Sequence, residues 1–389
     1  MNQSATFGIV GGYGATGRVV VSELLKSGEG ELLIGGRDPA RLRSLAEEFG
    51  SRVSQRRLDV LDVRSLDEFC SRCSIVLNCG GPVSLLQDRV SQAAFRAHCH
   101  YVDPAGLSFV KERMLPHAWE IADLGLSFVV SAGWTPGITE LLPVHAHAQA
   151  RFRMDSIESV SVYFSDSGEW SANALRDGVS YIRQVGLSRP GYFRKGEWVR
   201  AKTSELSRKV DLGDPIGLRR FSLFSMPELN EVGRRLTDCN FLPYSYLSGF
   251  RNFVAAIALA LFPLSEAQAV RLLQGIFLRN RLPVAGFVVV HVAGRSAGRS
   301  AALRTRITFD AGRDYWINGV VLATAARLVS VGSGVRAGVH FLPDSVDPNR
   351  LCWRVAKSWS PADRDLRTPR IIWALLGSSG LRSQNLARK

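Results

Sequence analysis

A short apolar run, Phe7-Gly8-Ile9-Val10, leads straight into Gly11-Gly12-Tyr13-Gly14-Ala15-Thr16-Gly17. Gly12, Gly14 and Gly17 fit the pattern G-x-G-x-x-G, placed between a predicted strand and a predicted helix. That context makes the pattern a dinucleotide fingerprint. Gly12 allows the tight turn, Gly14 lets backbone approach a pyrophosphate, and Gly17 lets the helix pack close to the strand. The helix start at Ala15 and Thr16 then offers unpaired N–H groups and a partial positive charge to the phosphates.

The second strand selects the nucleotide. Glu31-Leu32-Leu33-Ile34-Gly35-Gly36 reads as that strand. An NAD-binding chain usually ends it with an acidic residue that holds the ribose hydroxyls. Here the position is Arg37, followed by Asp38 and, one helical turn on, Arg41. A planar guanidinium binds phosphate bidentately, which favours a 2′-phosphate and hence NADP(H) over NAD(H). The competing expectation is that Arg37 and Arg41 are solvated residues at a helix start. Asp38, just before Pro39, is expected to cap that helix.

A chain of 389 residues suggests two domains. The formal charge of +14 is spread along it, without a basic block. No nucleic-acid partner is expected; the positive field suits NADP and an anionic or carrier-bound small molecule. Met1 to Thr6 is polar, so no signal peptide and a cytoplasmic location are expected. Phe253 to Phe262 is apolar but too short to span a bilayer, and reads as a buried helix, with membrane contact as the lesser alternative. Cys70 and Cys73 have C-x-x-C spacing, with His98 and Cys99 at the same sheet edge. There is no second C-x-x-C, and cysteine is often simply a small buried residue, so no metal is expected. His145 and His147 point to different helix faces and make a poor shared metal site.

Strands are expected at Arg52–Leu58, Ser74–Asn78, His100–Asp103 and Leu126–Val130, with a single helix over Ser84–Ala97. This alternation gives an α/β fold, an N-terminal Rossmann doubly wound parallel sheet over residues 1–144. From Ile157 onward polar and apolar residues alternate, as they do again over Leu303–Phe309, predicting a second α+β domain over residues 145–318 with a mostly antiparallel sheet. Gly294–Arg299 reads as a hairpin loop. Residues 319–389, helical over Val320–Val331, are expected to return to the first domain and end in a basic tail.

Ligands of such sheets sit at the carboxyl ends of the strands. The residues there include Asp59 and Val60, then Asn78-Cys79-Gly80-Gly81-Pro82, Asp103-Pro104-Ala105-Gly106 and Gly133-Trp134-Thr135-Pro136-Gly137. Asn78, Gly80, Gly81 and Pro82 are expected near the nicotinamide ribose or ring. Together with Gly36-Arg37-Asp38-Pro39-Ala40-Arg41-Leu42 and Tyr101-Val102-Asp103, these motifs resemble the saccharopine dehydrogenase-like family of NADP-binding oxidoreductases. The resemblance covers about the first 145 residues. It implies an NADP-dependent enzyme that reduces an imine, with a mixed α/β domain for substrate and homodimerisation. The family often has Gly-Glu where this chain has Gly106-Leu107, so an acidic role there is not carried over.

Hydride transfer to an imine also needs a proton. Asp103 and Tyr101 are the expected acids, with Glu140 a further candidate and Asp103 equally readable as a turn former. Trp134 and Trp170 are expected to wall a substrate pocket, and Arg176, seven residues before Arg183, to meet a substrate carboxylate. No tyrosine is followed by lysine four residues later, which excludes the Tyr-x-x-x-Lys chemistry of short-chain dehydrogenases. Two alternatives stand beside imine reduction. One is enoyl C=C reduction of a lipid-like or carrier-bound substrate, in a pocket lined by Phe241–Tyr246 and Phe253–Phe262. The other is a non-catalytic NADP-binding or membrane-associated protein.

Overall fold

The computed structural model describes residues 5–358, except 29, 167, 169, 186–189, 247–248, 280–281, 283, 285, 310–312 and 333, together with residues 372–377. The chain divides into two compact units. One comprises residues 1–138 and 315–359; the other comprises residues 139–314 and 360–389.

The first unit begins with β1 (Thr6–Val10), α1 (Ala15–Ser27), β2 (Glu31–Gly36), α2 (Pro39–Phe49), β3 (Val53–Arg57), α3 (Val63–Cys70) and β4 (Ile75–Asn78). It continues with α4 (Val83–Leu86), α5 (Arg89–Arg96), β5 (His100–Val102), α6 (Leu107–Met114), α7 (Ala118–Asp123) and β6 (Ser127–Val130). The strands form a seven-stranded sheet with β15 (Gly338–Phe341) at one edge, in the order β15-β6-β5-β4-β1-β2-β3. Every pairing in it is parallel. The order reverses at β1 and β4, the switch point at which such sheets bind ligands. Leu32 to Gly36 and all of β4 and β6 are buried, as strands covered on both faces must be.

The helix expected over Ser84–Ala97 is two helices. Gln87, at φ 52° and ψ −130°, ends α4. The guanidinium of Arg89 donates to the carbonyls of Leu85 and Leu86, both at 3.1 Å, so the freed helix end keeps its partners.

The second unit takes up α8 (Ile138–Arg151) from Thr139 onward, then β7 (Ser156–Asp166), α9 (Ala172–Val185), β8 (Gly191–Arg194), β9 (Glu197–Arg200), β10 (Ser207–Asp211) and β11 (Leu218–Leu223). It continues with α10 (Pro227–Arg235), β12 (Asn240–Ser245), α11 (Gly249–Leu261), α12 (Glu266–Arg279), β13 (Gly286–Ser296) and β14 (Arg299–Phe309). Its sheet runs β10-β11-β12-β7-β13-β14-β16, where β16 is Ile372–Gly377. The sheet is mixed, because β12 lies parallel to β7 while β7, β13 and β14 are antiparallel neighbours. The β13–β14 hairpin is longer than the Gly294–Arg299 loop predicted: pairing extends to Ser296 and Arg299, leaving Ala297 and Gly298 as the turn.

The boundaries also differ from those expected. The second unit starts at Thr139, before the change of periodicity, because α8 joins the two stretches. α13 (Asp314–Ser330), α14 (Leu342–Ser345) and α15 (Pro348–Ser358) follow β14 and, from Tyr315, return to the first unit. The return is partial, since β16 pairs with β14 in the second sheet. The basic tail expected beyond it lies outside the described residues.

Gly17 ties α1 to the glycine loop. A Cβ there would overlap the Gly11 carbonyl oxygen and lie 2.7 Å from that of Gly12, both backbone atoms that cannot swing aside. Gly17→Ala should therefore lower unfolding free energy by about 1–3 kcal/mol, measurable as an earlier urea midpoint at unchanged slope.

Candidate active site

The carboxyl ends of β1 to β6 bring the sequence-predicted cofactor residues to one edge of the first sheet. α1 begins after Gly14, which is extended at φ −70° and ψ 167° and provides no side-chain cap. The first turn has no acidic residue, so its N–H groups and dipole are left for an anion. A Cβ on Gly14 would meet only the Gly11 carbonyl, at 3.1 Å, so the loop is open on that side. Gly12 is enclosed, its Cβ position lying 2.9 Å from Ile34 in β2. A backbone cradle of this form fits a dinucleotide pyrophosphate.

Tyr13, which the sequence did not single out, links this loop to the end of β2. Its hydroxyl accepts from the backbone N–H of Arg37 at 3.2 Å and of Asp38 at 3.4 Å. Its ring lies under the Arg41 guanidinium, 4.4 Å from the centroid, which is cation–π distance. An aromatic side chain inside a glycine loop was the available signal. Asp38 caps α2, its carboxylate accepting from Ala40 N at 2.9 Å and Arg41 N at 3.2 Å, and is thereby committed to the helix. Arg37 and Arg41 are exposed, and neither has a carboxylate partner among the described residues.

The next two loops are braced by side chains. Asp59 is exposed and accepts from Leu61 N at 3.0 Å, while Val60 packs on the core below. Asn78 is buried; its carbonyl oxygen accepts from Gly80 N at 3.1 Å, and its amide donates to the Tyr101 hydroxyl at 3.4 Å. This bracing fixes the turn that follows β4, in which Gly80 and Gly81 are half-buried and Pro82 is buried.

The expected acids differ from expectation. Tyr101 and Asp103 are 0% and 1% exposed, so neither offers a proton at an open surface. Asp103 Oδ1 accepts from Ser131 N at 3.2 Å and from Gly106 N. It thus pins the β5 loop to the residue after β6, which is the turn-forming role. A Cβ on Gly106 would lie 2.7 Å from Asp103 Oδ1, so only glycine fits beneath the carboxylate. Burial raises its pKa to about 6, opposed by hydrogen bonds from Ser131, Gly106, Tyr101 and Ala105. Glu140, the further candidate acid, is also buried and accepts from Thr139 Oγ1 at 2.6 Å.

The substrate residues are also revised. Trp134 is 1% exposed and belongs to the core of the first unit, with its backbone N–H held by Asn318 Oδ1 at 2.7 Å. In the second unit Trp170 packs on Leu273 and Gly178 and hydrogen-bonds to Asp166. Arg176 pairs with Glu266, Nε to Oε1 at 2.7 Å, and Arg183 donates to the Leu264 carbonyl at 2.5 Å. Both arginines thus brace the connection before α12. Phe241 and Tyr244 are core residues of the second sheet.

A cationic group in that sheet was not foreseen from sequence. Arg208 lies 4.3 Å over the Tyr244 ring and 5.0 Å over that of Tyr163. Arg304 and Arg306 donate to the carbonyls of Leu212 and Asp214. Burial, Arg304 and Arg208 push His291 down to about 3, so it is neutral at ordinary pH. Burial also raises Asp166 to about 6, reinforced by the charge of Asp314.

The Cys99 thiol at the C-x-x-C edge of the sheet turns to backbone, its Sγ lying 2.8 Å from the Cys73 carbonyl and 3.2 Å from that of Cys70.

The Asp103 pKa is raised on folding, so its proton favours the native state at low pH and that contribution is lost as pH rises from about 4 to about 6. The stability of Asp103→Asn relative to wild type should therefore improve by about 2–3 kcal/mol between those pH values, read from urea melts of both proteins at each pH.

Residues 7–129 match the model of the saccharopine dehydrogenase NADP binding domain. A trans-acting enoyl reductase from Mycobacterium ulcerans (strain Agy99) is 26% identical over 213 residues, 52% of this chain and 50% of that protein. A lipid droplet localized protein from Caenorhabditis elegans is 28% identical over 137 residues, 32% of each chain. The chain thus aligns with only a third to a half of the length of these curated relatives. Apo saccharopine dehydrogenase (L-Glu forming) from Saccharomyces cerevisiae has the same fold, with a TM-score of 0.64 at 14% identity, over 96% of this chain and 100% of that one. Among the described residues no helix is long and apolar enough to cross a membrane. Residues 7–129 thus form a saccharopine dehydrogenase NADP binding domain, the cofactor is NADP(H), and the chain has the saccharopine dehydrogenase fold.

Proposed function

We propose that the chain is an NADPH-dependent reductase of a polarised C=C bond in a lipid-like or carrier-bound anionic substrate. The observation that carries this reading is the length of the likeness to the M. ulcerans enoyl reductase. An alignment of 213 residues is longer than the domain at residues 7–129, so the likeness continues outside the NADP-binding domain. The likeness to saccharopine dehydrogenase, at 14% identity, is one of fold, which places imine reduction second.

Bound NADPH supplies the hydride. In this reading the α1 start holds the pyrophosphate through the backbone at Gly14, Ala15, Thr16 and Gly17. Arg37 and Arg41 hold the 2′-phosphate, Arg41 with its guanidinium steadied by Tyr13. Gly80, Gly81 and Pro82 face the nicotinamide end, while Asp103 and Tyr101 act from beneath as positioning residues.

A further reading, contact with a lipid surface, is favoured by the exposed apolar residues of the α11–α12 hairpin, with Leu261 and Phe262 each 59% exposed and Leu278 60%. The name of the C. elegans relative agrees with it. Homodimerisation through the second unit is a further proposal.

NADPH oxidation should be followed with 2-enoyl thioesters, simple enones, cyclic imines, and amine–keto acid mixtures. An enoyl thioester should turn over well above the others. Turnover confined to the imines would overturn the C=C assignment.

A further inference from the structure

We infer that His147, Asp238 and Cys239 form a binding site for one divalent cation of the zinc class. His147 lies on α8, and Asp238 and Cys239 lie in the turn between α10 and β12. His147 Nε2 is 2.8 Å from one Asp238 carboxylate oxygen and 3.0 Å from the other. The imidazole nitrogen, a carboxylate oxygen and the Cys239 thiol all lie within 4.8 Å of one another. Tetrahedral coordination sets ligand atoms about 3.3–3.7 Å apart, so on binding His147 and Asp238 would part slightly and the sulfur would close from within 4.8 Å.

The donor types select the ion. Calcium and magnesium take oxygen ligands, whereas one nitrogen, one sulfur and one oxygen suit zinc. Three protein ligands leave the fourth tetrahedral position for water. The burial fits this arrangement. Cys239 is 1% exposed and the His147 side chain 11%, while Asp238 is 45% exposed and opens the cluster to solvent on one side. The Cys239 thiol hydrogen-bonds to the same Asp238 carboxylate, so the nitrogen and sulfur donors converge on one oxygen donor. Without a cation that thiol stays protonated, raised to about 12 by burial and by the neighbouring Asp238 carboxylate. On binding, the thiol proton passes to water and a metal–sulfur bond replaces the S–H bond, with no change of oxidation state. The bound ion would staple α8 to the start of β12 within the second unit. Because 91 residues separate His147 from Asp238, neither spacing nor motif reveals the site in sequence.

The test uses the full chain, stripped with a chelator, dialysed and titrated with Co(II) alone. The site should take one equivalent and develop thiolate-to-cobalt charge-transfer absorption, which added Zn(II) abolishes by displacement. Cys239→Ser should remove the band, and His147→Gln should weaken cobalt binding by more than about 100-fold, since even loss of a residue supporting a ligand costs 10–100-fold. A featureless wild-type spectrum would overturn the inference, as would a band that survives in Cys239→Ser, because the other cysteines would then be the ligands. If Cys239→Ser does not fold, the wild-type spectrum and His147→Gln decide the matter. Undiminished binding in His147→Gln then counts against the site.

Discussion

The close approach of α1 to the loop that follows β1 is the constraint on which the rest of the first unit depends. Gly17 meets two carbonyl oxygens that no side chain could pass, and Gly12 meets Ile34 of β2. β1, β2 and α1 therefore converge at one point, and the start of α1 is held against the switch point of the sheet. A helix end so placed needs an anion or solvent for its free N–H groups. The chain supplies neither a side-chain cap nor an acidic first turn.

Charge around that point is distributed consistently with the same ligand. The one acidic residue after β2, Asp38, spends its carboxylate on the α2 cap. The arginines on either side remain exposed, and Tyr13 joins them to the glycine loop. An NAD-type site would need a carboxylate there to receive ribose hydroxyls. The remaining loops are made rigid from below, by Asn78 under Gly80 and by Asp103 under Gly106. Buried hydrogen bonds of this kind stabilise loop geometry and hold the backbone of these turns in one shape.

The first six strands of the parallel sheet were legible because most are short apolar runs between turn residues, and each fell within a residue or two of its expected place, whereas β15, joined from far along the chain, was not foreseen. The glycine loop and the Asp38 cap were legible because both are local. What was lost is what depends on distant partners. Arg176 looked available for a substrate until Glu266, far along the chain, took it up. Trp134, Tyr101 and Asp103 stand at strand ends in sequence but turn inward, because residues after β6 and on α13 meet them there. The Arg208 cluster and the His147–Asp238–Cys239 group are assembled from separate strands and helices, so no window of sequence contains them.

The assignment of the β2 end to a 2′-phosphate is the central claim, and nucleotide titration tests it most directly. Protein fluorescence should be followed as NADPH and NADH are added to wild type and to Arg37→Glu. Wild type should bind NADPH at least about tenfold more tightly than NADH, the worth of a charge-assisted phosphate contact, and Arg37→Glu should erase that preference while leaving NADH binding nearly unchanged. Equal affinity of wild type for both nucleotides, or a preference that survives Arg37→Glu, would contradict the account.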